Sequence, residues 1–267
     1  MRWKHLIAGA AAFILPVAAP AFGHAGFLVP VLDDSMESGE VILHASFSDT
    51  FPGSDIALKS EAWTIIHPDG TTGAFDRLVE RPAHTILQAT LTAPGTYRLS
   101  SGERLGRKGE VAKIGDAYVR LGRDGVAAED LPDGATVLTS QTATVSDIYI
   151  SRGEPGGDAL GAQIGDLAIT PHSIPAGLSA NEAFTADIRF RGEPLPAALV
   201  THFRPSGSRE EEDPATQLTT SETGSIEVSL AEPGEHLLMV RHLAPAPAGS
   251  ETDVRSYTTV LTLLVAP

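Results

Sequence analysis

"HTILQATLTAPGTYRLSSG", residues 84–102, decides the fold class. It holds two strand-like runs, 84–91 and 95–102, with Pro94-Gly95 standing just ahead of the second. Proline fixes φ and glycine frees it, so the chain turns and re-enters an extended run. No three- and four-residue apolar spacing is sustained across the segment, which argues against a helix. The same punctuation extends outward on both sides. "EVILHASF" (40–47), "AWTIIHPDG" (62–70) with its Pro68-Asp69-Gly70 turn, and "VSDIYISRG" (145–153) are short β-rich runs bounded by turn residues. Further on come "AFTADIRFRG" (183–192), "PAALVTHFRP" (196–205), "QLTTSETGSIEVSL" (217–230), "GEHLLMVRHL" (234–243) and "RSYTTVLTLLV" (255–265).

Between the two groups lies "GEPGGDALGAQIGD" (153–166), a Gly-rich stretch that reads as a domain boundary. "TAPGTYRL" (92–99) and "AEPGEHLL" (231–238) echo one another, each with Pro-Gly just before a run. The expectation is an all-β chain of two consecutive immunoglobulin-like β-sandwich domains, 24–155 and 160–267.

Residues 1–23 read as a cleaved signal peptide. Arg2 and Lys4 precede the uncharged "LIAGAAAFILPVAAPAF" (6–22), and Ala21-Phe22-Gly23 places small residues at the −3 and −1 positions. The run is short and broken by Pro16 and Pro20, unlike a membrane anchor. Cleavage after Gly23 makes His24 the mature N-terminus, whereas cleavage after Ala25 discards it. Either site implies export, and the periplasm is the expected address.

The charge balance narrows the partners. With 19 Lys+Arg against 34 Asp+Glu, the net charge of −15 opposes nucleic acid and anionic membrane surfaces. No second apolar run is long enough to span a bilayer. The absence of cysteine excludes disulfides, iron–sulfur clusters, thiolate metal sites and a cysteine nucleophile. Two charged stretches stand out: "GERLGRKGEVAKIGDAYVRLGRDG" (102–125), dense in cations, and the acidic "REEED" (209–213). Both read as solvated loops, with docking as the lesser alternative.

Catalytic signatures are missing: no His-Glu-x-x-His, no Gly-x-Ser-x-Gly elbow and no phosphate-cradling Gly-x-x-x-x-Gly-Lys. The chain therefore reads as a non-enzyme, and its histidines carry the functional question. His24, as a free N-terminus, would offer an α-amine and a ring nitrogen on one residue, a donor pair suited to borderline transition metals. The partners expected for it are His44 first and His242 second, with Asp49 as a carboxylate option. His236 and His242 share a strand about 20 Å apart and cannot share an ion. His67 and His84 read as loop-edge residues, and His202 as a structural strand histidine.

"HAGFLVP" (24–30), with a proline six residues after the histidine, resembles the NikM-like periplasmic family. So do "FSDTFPGSDIALKSEAWTIIHPDG" (47–70), "IRFRGEPLPAALVTHFRP" (188–205), "TTSETGSIEVSLAEPGEHLLMV" (219–240) and "RSYTTVLTLLV" (255–265). That family is a domain of unknown function often labelled a nickel- or cobalt-uptake component. The resemblance implies a periplasmic protein that binds or hands over nickel, cobalt or copper, or a complex of one, to an envelope transporter component. The alternative is a non-catalytic adaptor for a protein or glycan, with incidental histidines. A copper oxidase built on His24 would need a second histidine beside it and a flat exposed surface.

Overall fold

The computed structural model describes residues 24–31, 38–122, 125–204 and 215–267. The signal-peptide reading of 1–23 and the acidic stretch 209–213 lie outside the described residues. Eleven strands form the first half: β1 (Ala25–Pro30), β2 (Glu40–Ser48), β3 (Ile56–Ala57), β4 (Thr64–Ile66), β5 (Thr72–Gly73), β6 (Arg77–Glu80), β7 (Thr85–Thr90), β8 (Gly95–Ser100), β9 (Arg104–Ile114), β10 (Ala117–Arg120) and β11 (Thr136–Arg152). Nine follow: β12 (Leu167–Pro171), β13 (Leu178–Ser179), β14 (Glu182–Phe190), β15 (Glu193–Pro194), β16 (Leu199–Phe203), β17 (Ala215–Thr219), β18 (Ser225–Leu230), β19 (Gly234–Pro245) and β20 (Val254–Ala266). Two single 3-10 turns, Ala128–Asp130 and Ala159–Gly161, interrupt the connections.

The chain is two immunoglobulin-like β-sandwiches, as its strand-like runs foretell. What the runs do not foretell is that the sandwiches share a sheet. β11 of the first half pairs in parallel with β20 of the second over Ser140–Ile148 and Val254–Thr262. This joins β17-β16-β19-β20-β11-β8-β4-β5 into one central sheet. A sheet of β1-β2-β7-β6, with β3 on β2, covers one face, and a sheet of β12-β14-β15, with β18 on β14, covers the other.

Strand alternation assigns the faces. Ile148 and Ile150 of β11 join Leu43, Leu87, Tyr97 and Leu99 in the first core. Their odd-numbered neighbours Ala143 and Tyr149, with Leu261 and Leu263, join Phe184, Ile188 and Leu238 in the second. Residues buried on both sides explain why β20 reads as a nearly unbroken apolar and threonine run rather than an alternating one.

A third, smaller core fixes β1. Ala25 and Phe27 pack with Phe51 onto Leu237, Met239 and Val260, and the Phe27 and Phe51 rings meet edge to face at 5.1 Å. The Ser146 hydroxyl of β11 donates to the Gly26 carbonyl at 2.9 Å, buried. The opening segment thus seals the seam between the first sandwich and the strands that belong to the second.

The cation-dense stretch is a correction to the loop reading. Residues 104–114 and 117–120 form the antiparallel pair β9–β10, and β9 pairs with β11 from Thr136 to Thr144.

Candidate functional site

His24 immediately precedes β1, opposite the residue that follows β2, because Ala25 is in register with Ser48. That register brings Asp49 to it: His24 Nδ1 lies 3.0 Å from Asp49 Oδ1. The turn presenting Asp49 is held by the Asp55 carboxylate. It accepts from the Ser48 hydroxyl at 2.6 Å and the Asp49 amide at 3.3 Å. The Ser48 bond, more than any other cause, holds the Asp55 carboxyl below its ordinary range. Both His24 and Asp49 are partly exposed, with side-chain exposures of 33% and 45%. The site therefore sits at a surface that a ligand can reach.

Of the expected donor set, this is the part the structure brings together. His44 is not part of it. It sits opposite Val29, five residues along β1 from His24, which is about 16 Å at the rise of an extended strand. Its ring stacks on His84 at 4.4 Å and 17°. Stacked rings turn their faces to one another rather than directing in-plane lone pairs to one ion. Burial, then the charge of His84, keeps His44 below the ordinary imidazole range.

His242 is also removed, for a reason of parity. Its neighbour Arg241 donates to the His24 carbonyl at 3.4 Å, so residue 241 faces β1 and residue 242 faces away. The His242 ring instead packs 4.6 Å from Phe190 of the opposite sheet. Among the described residues, no group of three or more His, Cys, Asp or Glu side chains is arranged to hold a metal ion.

A second histidine pair was not visible in the sequence. His202 Nε2 and His236 Nδ1 meet at 2.9 Å on neighbouring β16 and β19, both buried. His236 Nε2 donates to the Glu232 carbonyl at 2.8 Å, which leaves Nδ1 as acceptor and makes His202 Nε2 the donor. The pair is neutral: burial, followed by His236 and Arg204, pushes His202 down to about 4. The pair is inside the fold, and one nitrogen of each ring is taken up by the bond between them. It is architecture rather than a metal site.

No helix among the described residues is long and apolar enough to cross a membrane. Comparison with known proteins places the chain in a family. It belongs to the family described as a domain of unknown function (DUF4198), whose model matches residues 21–244. No curated protein matches. A solved structure similar to this DUF4198 chain is the D0-D1 domain of Intimin, at 9% identity and a TM-score of 0.21, over 90% of this chain and 97% of that one.

Proposed function

We propose that this DUF4198 protein is a non-catalytic, exported binding protein of the NikM-like type that carries a transition-metal ion, or a metal complex, for an envelope uptake system. The observation that supports this reading most is the His24–Asp49 pair. Nitrogen and oxygen donors each about 2.0–2.1 Å from one ion stand about 3 Å apart when they occupy adjacent positions. The 3.0 Å separation of His24 Nδ1 and Asp49 Oδ1 matches that spacing. Cleavage after Gly23 would add the α-amine of His24, which forms a chelate ring with the same Nδ1. Amine, imidazole and carboxylate suit nickel, copper or cobalt, and the absence of cysteine keeps the site out of thiolate chemistry.

The test is N-terminal sequencing of the exported protein, followed by nickel and copper titration of the mature chain and of His24→Ala and Asp49→Ala. A mature chain starting at His24 that binds one ion is expected. His24→Ala should abolish binding and Asp49→Ala should weaken it about tenfold or more. Affinity should fall on acidification, because protons compete with the ion for its nitrogen and oxygen donors. A mature terminus at Gly26, or unchanged affinity in His24→Ala, would overturn the reading.

A further inference from the structure

Beside His24, between β1 and β3 above and the central sheet below, lies a cavity of about 330 Å³. Four arginines line it: Arg104, Arg107, Arg120 and Arg241. In a chain of net charge −15, such convergence is against the average. None of the described residues lining the cavity is a carboxylate.

Strand register builds the floor. Arg104 of β9 pairs with Thr144 of β11, Thr144 with Thr258 of β20, and Thr258 with Arg241 of β19. Directly paired residues point to the same side of a sheet, so these four side chains form one row across four strands. At about 4.8 Å per strand the row is about 14 Å long, with a guanidinium at each end and two hydroxyls between. Beyond Arg241 and Thr258 the same face turns apolar at Met239 and Val260, where the third core begins.

The placement of Arg107 requires a specific device. Arg104 and Arg107 are three residues apart, and in a regular strand they would point to opposite faces. The ladder between β9 and β11 slips there. Gln141 pairs with Lys108 and Ala143 with Leu105, so two residues of β9, Gly106 and Arg107, stand against Thr142 alone. This bulge restores Arg107 to the face of Arg104 and Thr142, the use to which bulges beside binding sites are commonly put. Gly106 makes it sterically feasible: a Cβ there would stand 2.3 Å from Thr142 Oγ1. The result is two like charges side by side. Burial, and after it the charge of Arg107, lowers the pKa of Arg104 from its ordinary value.

Arg104 is braced from behind. Its Nε donates to the Lys59 carbonyl at 2.6 Å, and its guanidinium lies over the Phe47 ring at 5.2 Å. Arg120 reaches across to donate to the Ser256 hydroxyl at 2.7 Å. These are positioned cations, and guanidinium forks match carboxylate groups in pairs.

We propose that this cavity binds a small organic polyanion of the polycarboxylate class. Two features favour it over an inorganic anion. The volume is about that of eleven waters, more than one tetrahedral oxyanion fills. The cations also sit at both ends of the row rather than at one point, with Phe47, Ile56 and Ala57 forming an apolar wall. This goes beyond metal carriage and stands independently of it.

The test is calorimetric titration of the full exported protein in metal-free buffer at low ionic strength, with citrate as the probe and inorganic phosphate and acetate in parallel. Citrate is expected to bind at one site, at least about tenfold tighter than phosphate or acetate. Loss of a charge-assisted bond should weaken citrate about tenfold to a hundredfold in Arg107→Ala. Arg107 is exposed, so this variant should fold, and far-ultraviolet circular dichroism checks that it does. Thr142→Val should also weaken binding, whereas Arg77→Ala on the outer strand β6 should not. Absence of citrate binding, equal affinity for phosphate, or an unchanged affinity in Arg107→Ala would each overturn the proposal. Loss of nickel and copper binding in His24→Ala would leave it standing.

Discussion

At the scale of single residues, the two Pro-Gly turns explain how a buried histidine is placed. Gly95 and Gly234 adopt nearly the same positive φ, 121° and 126°, and each opens a strand of the central sheet. Two residues later stand Tyr97 and His236. The Tyr97 hydroxyl donates to the Ala93 carbonyl at 2.9 Å, and the His236 ring donates to the Glu232 carbonyl, in each case four residues upstream. Both are the corner bond that a tyrosine makes in many immunoglobulin-like sandwiches. The echo "TAPGTYRL" and "AEPGEHLL" thus extends from sequence to geometry. His236 does the work of a tyrosine, and His202 satisfies its remaining nitrogen. The histidines were legible as residues, and their partners were not. His44 with His84, and His202 with His236, meet through neighbouring strands that no local spacing reveals. The His24–Asp49 pair was within reach because hairpin register sets it directly.

The neutral pair makes stability depend on pH in a defined direction. His202 has its folded pKa depressed to about 4, against about 6.5 when unfolded. Above pH 6.5 neither state binds the proton, and the full stability is present. As pH falls from 6.5 toward 4 the unfolded state takes up protons that the folded state refuses, and stability declines. The loss attributable to this residue is on the order of 3 kcal/mol by pH 4. Denaturant unfolding at pH 7.5 and 4.5 should show it, with a shallower pH dependence in His202→Gln. An identical slope in the variant would place the proton uptake elsewhere.

At the scale of elements, β9 carries the least legible feature of the chain. Cations at 104, 107 and 120 in an acidic sequence were the signal, but a strand of mixed charge and glycine has the composition of a loop. What turns it into a strand is tertiary: β11 supplies its ladder on one side and β10 on the other. The bulge at Gly106–Arg107 cannot be read without that partner, because it is a mismatch between two strands. Its steric requirement is testable. Gly106→Ala places a methyl 2.3 Å from Thr142 Oγ1 and should cost about 1–3 kcal/mol. Thr142→Ala removes the obstructing atom, so the double variant should recover much of that loss. Strictly additive losses in a double-mutant cycle would show that the contact does not restrict position 106.

At the scale of the whole molecule, the strand-like runs and their turn residues were sufficient for two sandwiches, but not for how they are joined. A reading that stops at 153–166 expects two beads on a linker. The parallel pairing of β11 with β20 links segments more than a hundred residues apart, and its register is set by cores on both faces rather than by any turn. Because β11 pairs with β20, and the third core packs Ala25, Phe27 and Phe51 of the first half onto Leu237, Met239 and Val260 of the second, unfolding of either sandwich strips a ladder and a core from the other. Unfolding should be a single cooperative transition. Trp63 packs against the first core, and Trp3 is lost if the signal segment is removed, which leaves Trp63 as a fluorescent reporter of the first sandwich alone. Phe184 is fully buried in the second core. Phe184→Ala should cost about 3–5 kcal/mol. The prediction is that Trp63 fluorescence reports the entire loss: its denaturant midpoint falls together with that of far-ultraviolet circular dichroism, in one coincident transition. A Trp63 midpoint unmoved by Phe184→Ala would mean that the first sandwich stands without the second, and that the shared sheet does not couple them.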